Sequence, residues 1–356
     1  MTTTLTVDAE HPDVRAIAMA AEAIRSGGLV AFPTETVYGL GAHALDVVAI
    51  DRLFRAKGRP STDPMIVHLP SAQRLDEIVQ EIPPEARELS AAFWPGPLTL
   101  ILPKRERVPD VVTAGRPTVG VRVPAHPVAL ALLEAAGVPI AAPSANRFSR
   151  PSPTTAAHVM ADLEGAIDFI LDAGPTPIGV ESTVLDMTVS PPAIRRPGGV
   201  TLERLQSIVP TIVATSERLS EAASQPAPGQ LLRHYAPQHE LTLYLGPLEP
   251  VVARLAEDVR TLVARGLKVG VLAPSEDLVA LAPRLAAVAA TGRVVTRRYG
   301  ARQDASSSAR DLYRVLRELD GEDIDIIFAT AAEPAGIGAA VVDRLTRAAS
   351  GRVVSI

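Results

Sequence analysis

Cysteine is absent from this chain. That removes disulfides, thiolate catalysis and cysteine-ligated metals together, and it points to a cytoplasmic compartment. Aromatic residues make up only 3% of the sequence against 47% hydrophobic residues, so the cores must rest on Ala, Val, Leu and Ile. No stretch approaches the ~18 uninterrupted apolar residues that a spanning helix needs. The start, Met1-Thr-Thr-Thr-Leu-Thr-Val-Asp8, lacks the basic segment and apolar run of a signal peptide, so a soluble protein with no membrane partner is expected. A basic surplus is missing as well: 35 Lys and Arg stand against 40 Asp and Glu, for a net charge of −5. Dedicated nucleic-acid binders carry such a surplus. Long polyanions are therefore disfavoured as the main partner, while small ones are not.

What the chain does have is a set of polar islands in otherwise apolar sequence. They read Pro33-Thr-Glu-Thr-Val-Tyr-Gly39, Lys57-Gly-Arg-Pro60, Ser144-Ala-Asn146 running on to Ser152-Pro-Thr154, Ser182-Thr183, and Arg196-Pro-Gly198. Each pairs small hydroxyl or cationic residues with Gly or Pro. That chemistry holds an anion against exposed backbone N–H groups, and phosphate is its natural ligand.

At 356 residues the chain is too long for one ordinary core, and a prior of ~150 residues per domain suggests two. Apolar Val14, Ile17, Ala18, Ala21 and Ile24 predict a helix over residues 13–26, stopped by Gly27-Gly28. Strand 29–32 follows, and helices and strands then alternate. The helices are predicted near 46–56, 71–79, 127–136 and 154–163; the strands over 65–69, 98–102, 119–123, 139–142, 169–171, 183–186 and 193–195. This first α/β unit, a mixed sheet with flanking helices, is expected to occupy residues 1–210. Its islands fall at strand ends, where open α/β sheets bind ligands. Residues 211–240 read as a linker by composition, ending in the side-chain-rich Arg233-His-Tyr-Ala-Pro237. From 241 to 356 a smaller Rossmann-like domain of parallel strands is predicted, without a G-x-G-x-x-G after its first strand.

Within Arg52 to Arg59 four cations crowd a helix C-terminus, where the helix dipole alone favours them. Lys57 and Arg59 differ from Arg52 and Arg55 because Gly58 and Pro60 fix the backbone around them, which suits phosphate binding. Ser152 and Thr154 can cap the helix that follows, and a helix N-terminus is also an anion site. His68 lies in an apolar strand and reads as a hydrogen-bonded core residue. No second His stands at metal-ligand spacing, so no metal site is assigned. Arg122, in Val119-Gly-Val-Arg-Val123, needs an anionic partner if buried.

Taken in order, Thr34-Glu-Thr-Val-Tyr-Gly-Leu40, Lys57-x-Arg59-Pro60, Pro97-Leu-Thr99, Pro143-Ser-Ala-Asn146, Ser152-Pro-Thr154, Ser182-Thr-Val184 and Arg196-Pro-Gly198 resemble the YrdC/Sua5 family. Pro228-Gly229, His234-Tyr-Ala-Pro237 and the second α/β domain resemble its longer, two-domain form. The resemblance implies a nucleotidyltransferase that makes L-threonylcarbamoyladenylate from L-threonine, bicarbonate and ATP, releasing pyrophosphate, with Mg2+ accompanying ATP. Its product feeds the threonylcarbamoyl modification of adenosine in tRNAs that read codons starting with A, through downstream threonylcarbamoyl-transfer enzymes, with at most weak direct tRNA binding.

By motif, the resemblance places Thr36, His68, Arg122, Ala142 and Ser182 against threonine. It places Arg59, Asp63, Thr118, Ser144, Asn146, Ser152, Arg196 and Tyr235 against ATP, with Lys57 and Arg59 in the catalytic role. Family members often carry Asn where this chain has Asp63; a carboxylate beside phosphates is repulsive unless a cation intervenes. Two other readings accompany the resemblance. One is a double-stranded RNA or tRNA-binding module, which the acidic balance disfavours. The other is a carbamoyltransferase-type relative, whose zinc-finger region a cysteine-free chain cannot supply.

Overall fold

A computed structural model describes residues 1–215, 227–229 and 234–356. Half of the predicted linker, including Arg233, lies outside the described residues. Two compact units emerge, one of Met1–Phe148 with Ser152–Leu231 and the other of Ser149–Pro151 with Leu232–Ile356.

The first unit is built on a mixed sheet of 11 strands. Its order is Thr3–Thr6, Phe169–Asp172, Val30–Phe32, Gly39–His43, Ile140–Ala141, Ile66–His68, Thr118–Arg122, Leu98–Pro103, Thr183–Asp186, Ala193–Arg196 and Val213–Ala214. Ile66–His68 and Thr118–Arg122 run parallel, with His68 directly opposite Arg122. Helices cover the sheet over large apolar clusters of Ala, Val, Leu and Ile, as the shortage of aromatics predicts.

Two of the helices show why the chain folds as it does. In Val14–Arg25 the Asp13 side chain caps the start by accepting from the Ala16 N–H, and Gly27 follows the end with φ 81°. The buried stripe is Ala16, Ile17, Ala20, Ala21 and Ile24, whereas Val14 and Ala18 face solvent. The predicted inward face is thus corrected by a rotation about the helix axis. In Val47–Lys57, Asp46 caps the start and Gly58 ends the helix in the left-handed region at φ 63°. Its inward stripe is Ala49, Ile50, Leu53, Phe54 and Lys57, which sends a lysine into the interior.

The strand Gly39–His43 and the helix Pro84–Phe93 have no counterpart in the sequence-based expectation. Gly39 and Gly41 are poor strand formers by propensity. Packing requires the second: a Cβ at Gly41 would stand 2.9 Å from Ile140 and 3.0 Å from the Phe32 ring. The predicted helix 71–79 is a 3₁₀ segment, Ala72–Glu77.

The second unit is a five-stranded sheet, all parallel, ordered Val294–Arg298, Val269–Ala273, Ile326–Thr330, Glu240–Leu245, Val353–Ser355. Helices Leu248–Ala264, Ser275–Ala289, Ala305–Asp320 and Gly338–Ala348 connect these strands. This is the small Rossmann-like domain that the sequence predicts. Among the described residues, no helix is long and apolar enough to cross a membrane.

Candidate active site

Four cations of the first unit, Lys57, Arg59, Arg122 and Arg196, are buried together with the carboxylates Glu35, Asp63 and Glu181. Charges withdrawn from water must find partners, and these find them in one another and in backbone carbonyls.

Lys57 reaches from its helix to the loop after Ile140–Ala141, where its ammonium donates to the carbonyls of Ser144 at 2.6 Å and Asn146 at 2.5 Å. The Ser144 hydroxyl in turn donates to the Asn146 side-chain oxygen at 2.5 Å. Burial, reinforced by the nearby Arg59 charge, pulls the Lys57 pKa well below the ordinary lysine value. Past the Gly58 turn, Arg59 folds back on its own loop. Its guanidinium donates to the Asp63 and Pro64 carbonyls at 3.2 and 2.7 Å and stands 3.0 Å from the Asp63 carboxylate. Burial pushes the Asp63 pKa up, against Arg59, the Gly229 N–H, Arg196 and Lys57, which favour the carboxylate. The cation that a carboxylate requires at this position is therefore Arg59.

Arg122 is held at three points. Its Nε donates to the Gly96 carbonyl at 3.1 Å, one Nη donates to the Thr36 hydroxyl at 3.1 Å, and the other stands 2.7 Å from Glu35. Thr36 is ordered in its turn by the Thr34 hydroxyl at 2.8 Å, and Thr34 donates to the Val37 carbonyl. Opposite Arg122, His68 is buried, with its Nδ1 3.2 Å from the Ile66 carbonyl. Burial first, and the Arg122 charge second, push its pKa down to about 3. The imidazole is neutral at physiological pH.

Ser182 centres a third group. Its hydroxyl lies 2.8 Å from that of Thr99, and Arg196 donates to its carbonyl and its hydroxyl at 3.1 and 3.3 Å. The other end of Arg196 donates to the Pro228 carbonyl at 3.2 Å, which ties residues 227–229 to the first unit. The Ser152 hydroxyl donates to Glu181 at 2.5 Å, both buried. Ala142 is buried and would lie 3.4 Å from a Cβ at Gly39. Thr118 sits at the start of its strand, lining with Pro64, Arg116 and Pro228 a recess of about 10 Å³, room for roughly one water.

The structure thus connects Lys57 with Ser144 and Asn146, Arg59 with Asp63, Thr36 with Arg122 and His68, and Ser182 with Arg196. Tyr235 belongs to the second unit. There it is buried with φ 58°, its ring 4.0 Å from that of His234 and 5.7 Å from that of Tyr313, with the Arg344 guanidinium 5.1 Å above it. Glu35, Thr99 and Glu181 were absent from the sequence-derived set of site residues. The signal for Glu35 was a carboxylate between two threonines; for Glu181, its place just before Ser182.

Comparison with known proteins extends over nearly the whole chain. Residues 22–198 match the Sua5/YciO/YrdC family, described as "Telomere recombination", and residues 200–350 match the family described as "Threonylcarbamoyl-AMP synthase, C-terminal domain". The threonylcarbamoyl-AMP synthase of Pyrococcus abyssi is 43% identical over 345 residues, covering 96% of each chain. That of Bacillus subtilis is 42% identical over 340 residues, covering 95% of this chain and 94% of its own. The crystal structure of P. abyssi Sua5 complexed with L-threonine superposes with a TM-score of 0.89 at 41% identity, covering 100% of this chain and 99% of that one.

Proposed function

The chain belongs to the Sua5/YciO/YrdC family in its two-domain form, and from that membership we infer that it is a threonylcarbamoyl-AMP synthase. It converts L-threonine, bicarbonate and ATP into L-threonylcarbamoyladenylate and pyrophosphate, the activated intermediate for threonylcarbamoyl modification of tRNA. The observation that carries the reading is the near full-length match to synthases named for this product, over a chain whose first unit concentrates buried cations and hydroxyls.

The chemistry suits those residues. Bicarbonate and the threonine amine condense to an N-carboxylate with loss of water. One carbamate oxygen then attacks the α-phosphorus, the bond to the β-phosphate oxygen breaks, and pyrophosphate leaves. The nucleophile is already an anion, so the task is to bring anions together and neutralise developing charge. We assign Lys57 and Arg59 to that neutralisation. Ser144, Asn146, Ser152, Thr118, Asp63 and Arg196 are proposed to surround the nucleotide.

Arg122, fixed by Gly96, Thr36 and Glu35, is proposed to bind the threonine carboxylate, a pairing for which a planar guanidinium is suited. Neutral His68, Ser182 and Ala142 would complete the amino-acid pocket. The assignment of Tyr235 to ATP rests on the linker motif alone.

Magnesium is proposed to enter as the ATP complex. Among the described residues no three His, Asp or Glu side chains converge to hold a metal, and Asp63 faces Arg59. Incubation with ATP, L-threonine and carbon-labelled bicarbonate tests the reading: mass spectrometry should find the label in an adenylate of threonylcarbamate. An unlabelled product, or threonyl-AMP instead, would overturn it.

A further inference from the structure

Glu35 is a buried carboxylate, 7% exposed, whose two oxygens accept no hydrogen bond among the described residues. Arg122 stands 2.7 Å from Oε1 and the Glu35 charge also acts on His126, yet neither contact supplies a hydrogen bond to the carboxylate. Leaving buried oxygens without donors is costly, and such orphans call for an explanation. The backbone around this side chain is pinned: the Glu35 carbonyl accepts from Ile178 N–H at 3.0 Å and the Thr36 carbonyl from Gly179 N–H at 3.1 Å. The carboxylate is held in place without being satisfied.

We propose that Glu35 is a further substrate-binding residue, accepting an N–H from the nitrogen of the amino acid whose carboxylate pairs with Arg122. This rests on the threonine reading given above. An α-amino acid carries its carboxylate and its nitrogen on the same carbon, one anionic and one a donor. Arg122 and Glu35, side by side with opposite charge, present the complementary pair. The acceptor also serves the whole reaction, because the nitrogen keeps one N–H in the carbamate and again in the adenylate. A single fixed acceptor therefore orients amine, carbamate and product alike.

The experiment compares two ligands in two proteins by calorimetry. L-threonine has the nitrogen; the 3-hydroxybutanoate of matching β-carbon configuration lacks it while keeping carboxylate, hydroxyl and methyl. Glu35→Gln should weaken L-threonine binding by about 10- to 100-fold, the range for a hydrogen bond to a charged group, and 3-hydroxybutanoate by less than about threefold. ATP binding, measured alongside, should not change and reports on the fold. Should the glutamine variant fail to fold, Glu35→Asp, which keeps the charge but retracts it, should show the same selective loss. Equal weakening of both ligands would mean that Glu35 acts only through Arg122, and no weakening would mean that it plays no part; either result overturns the proposal. Failure of the unmodified protein to bind L-threonine would instead overturn the threonine reading itself.

Discussion

The Arg59 guanidinium stands 3.0 Å from the Asp63 carboxylate, and both side chains are almost wholly excluded from water. The pair forms within one turn of chain, four residues apart, and it partly cancels a positive charge assigned here to the ATP phosphates. Asp63→Asn should leave Arg59 its bonds to the Asp63 and Pro64 carbonyls while removing the competing anion. The KM for ATP should fall by about threefold or more, since two charges at this range interact strongly even at an effective dielectric near 20. Steady-state kinetics in ATP at saturating threonine checks this.

His68 supplies a pH signature. Its folded-state pKa, about 3, lies below the ordinary 6.5, so between those values the unfolded chain binds a proton that the folded chain refuses. The folded state therefore has its full relative stability above pH 6.5 and loses it as pH falls towards 3, by up to roughly 1.4 kcal/mol per pH unit. His68→Gln does not titrate. Thermal unfolding from pH 7 to pH 4 should show a shallower acid decline for the variant than for the unmodified protein, and parallel curves would contradict the assignment of a buried neutral imidazole.

Arg122 offers a test of substrate assignment. A lysine there keeps the charge but cannot bond Gly96, Thr36 and a ligand carboxylate at once. Arg122→Lys should raise the KM for threonine by about 10- to 100-fold, with the KM for ATP unchanged. A rise confined to ATP would move Arg122 to the nucleotide.

Much of this was legible in the sequence, for stated reasons. Gly58 and Pro60 flagged Lys57 and Arg59 because turn residues leave a local mark, and the left-handed Gly58 is the cap they announced. The parallel second sheet followed from the regular alternation of strands and helices. What stayed hidden were partnerships across long separations. Ser152 meets Glu181 across 29 residues and Arg122 meets Thr36 across 86, and neither spacing has a periodic signature. The strand Gly39–His43 was hidden differently: its glycines oppose strand propensity, and Gly41 is required by the Phe32 ring and Ile140. Val14 pointed outward because apolar spacing defines a stripe only to within a neighbouring row.

On the proposed function, this chain activates carbamoylated threonine on ATP. Pyrophosphate release, followed with L-threonine, with L-serine and with no amino acid, each with and without bicarbonate, tests it most directly. Release should require amino acid and bicarbonate together and should favour threonine over serine by roughly 10- to 200-fold, the range for one methyl group in an apolar pocket. Equal release without bicarbonate, or without any amino acid, would contradict the account.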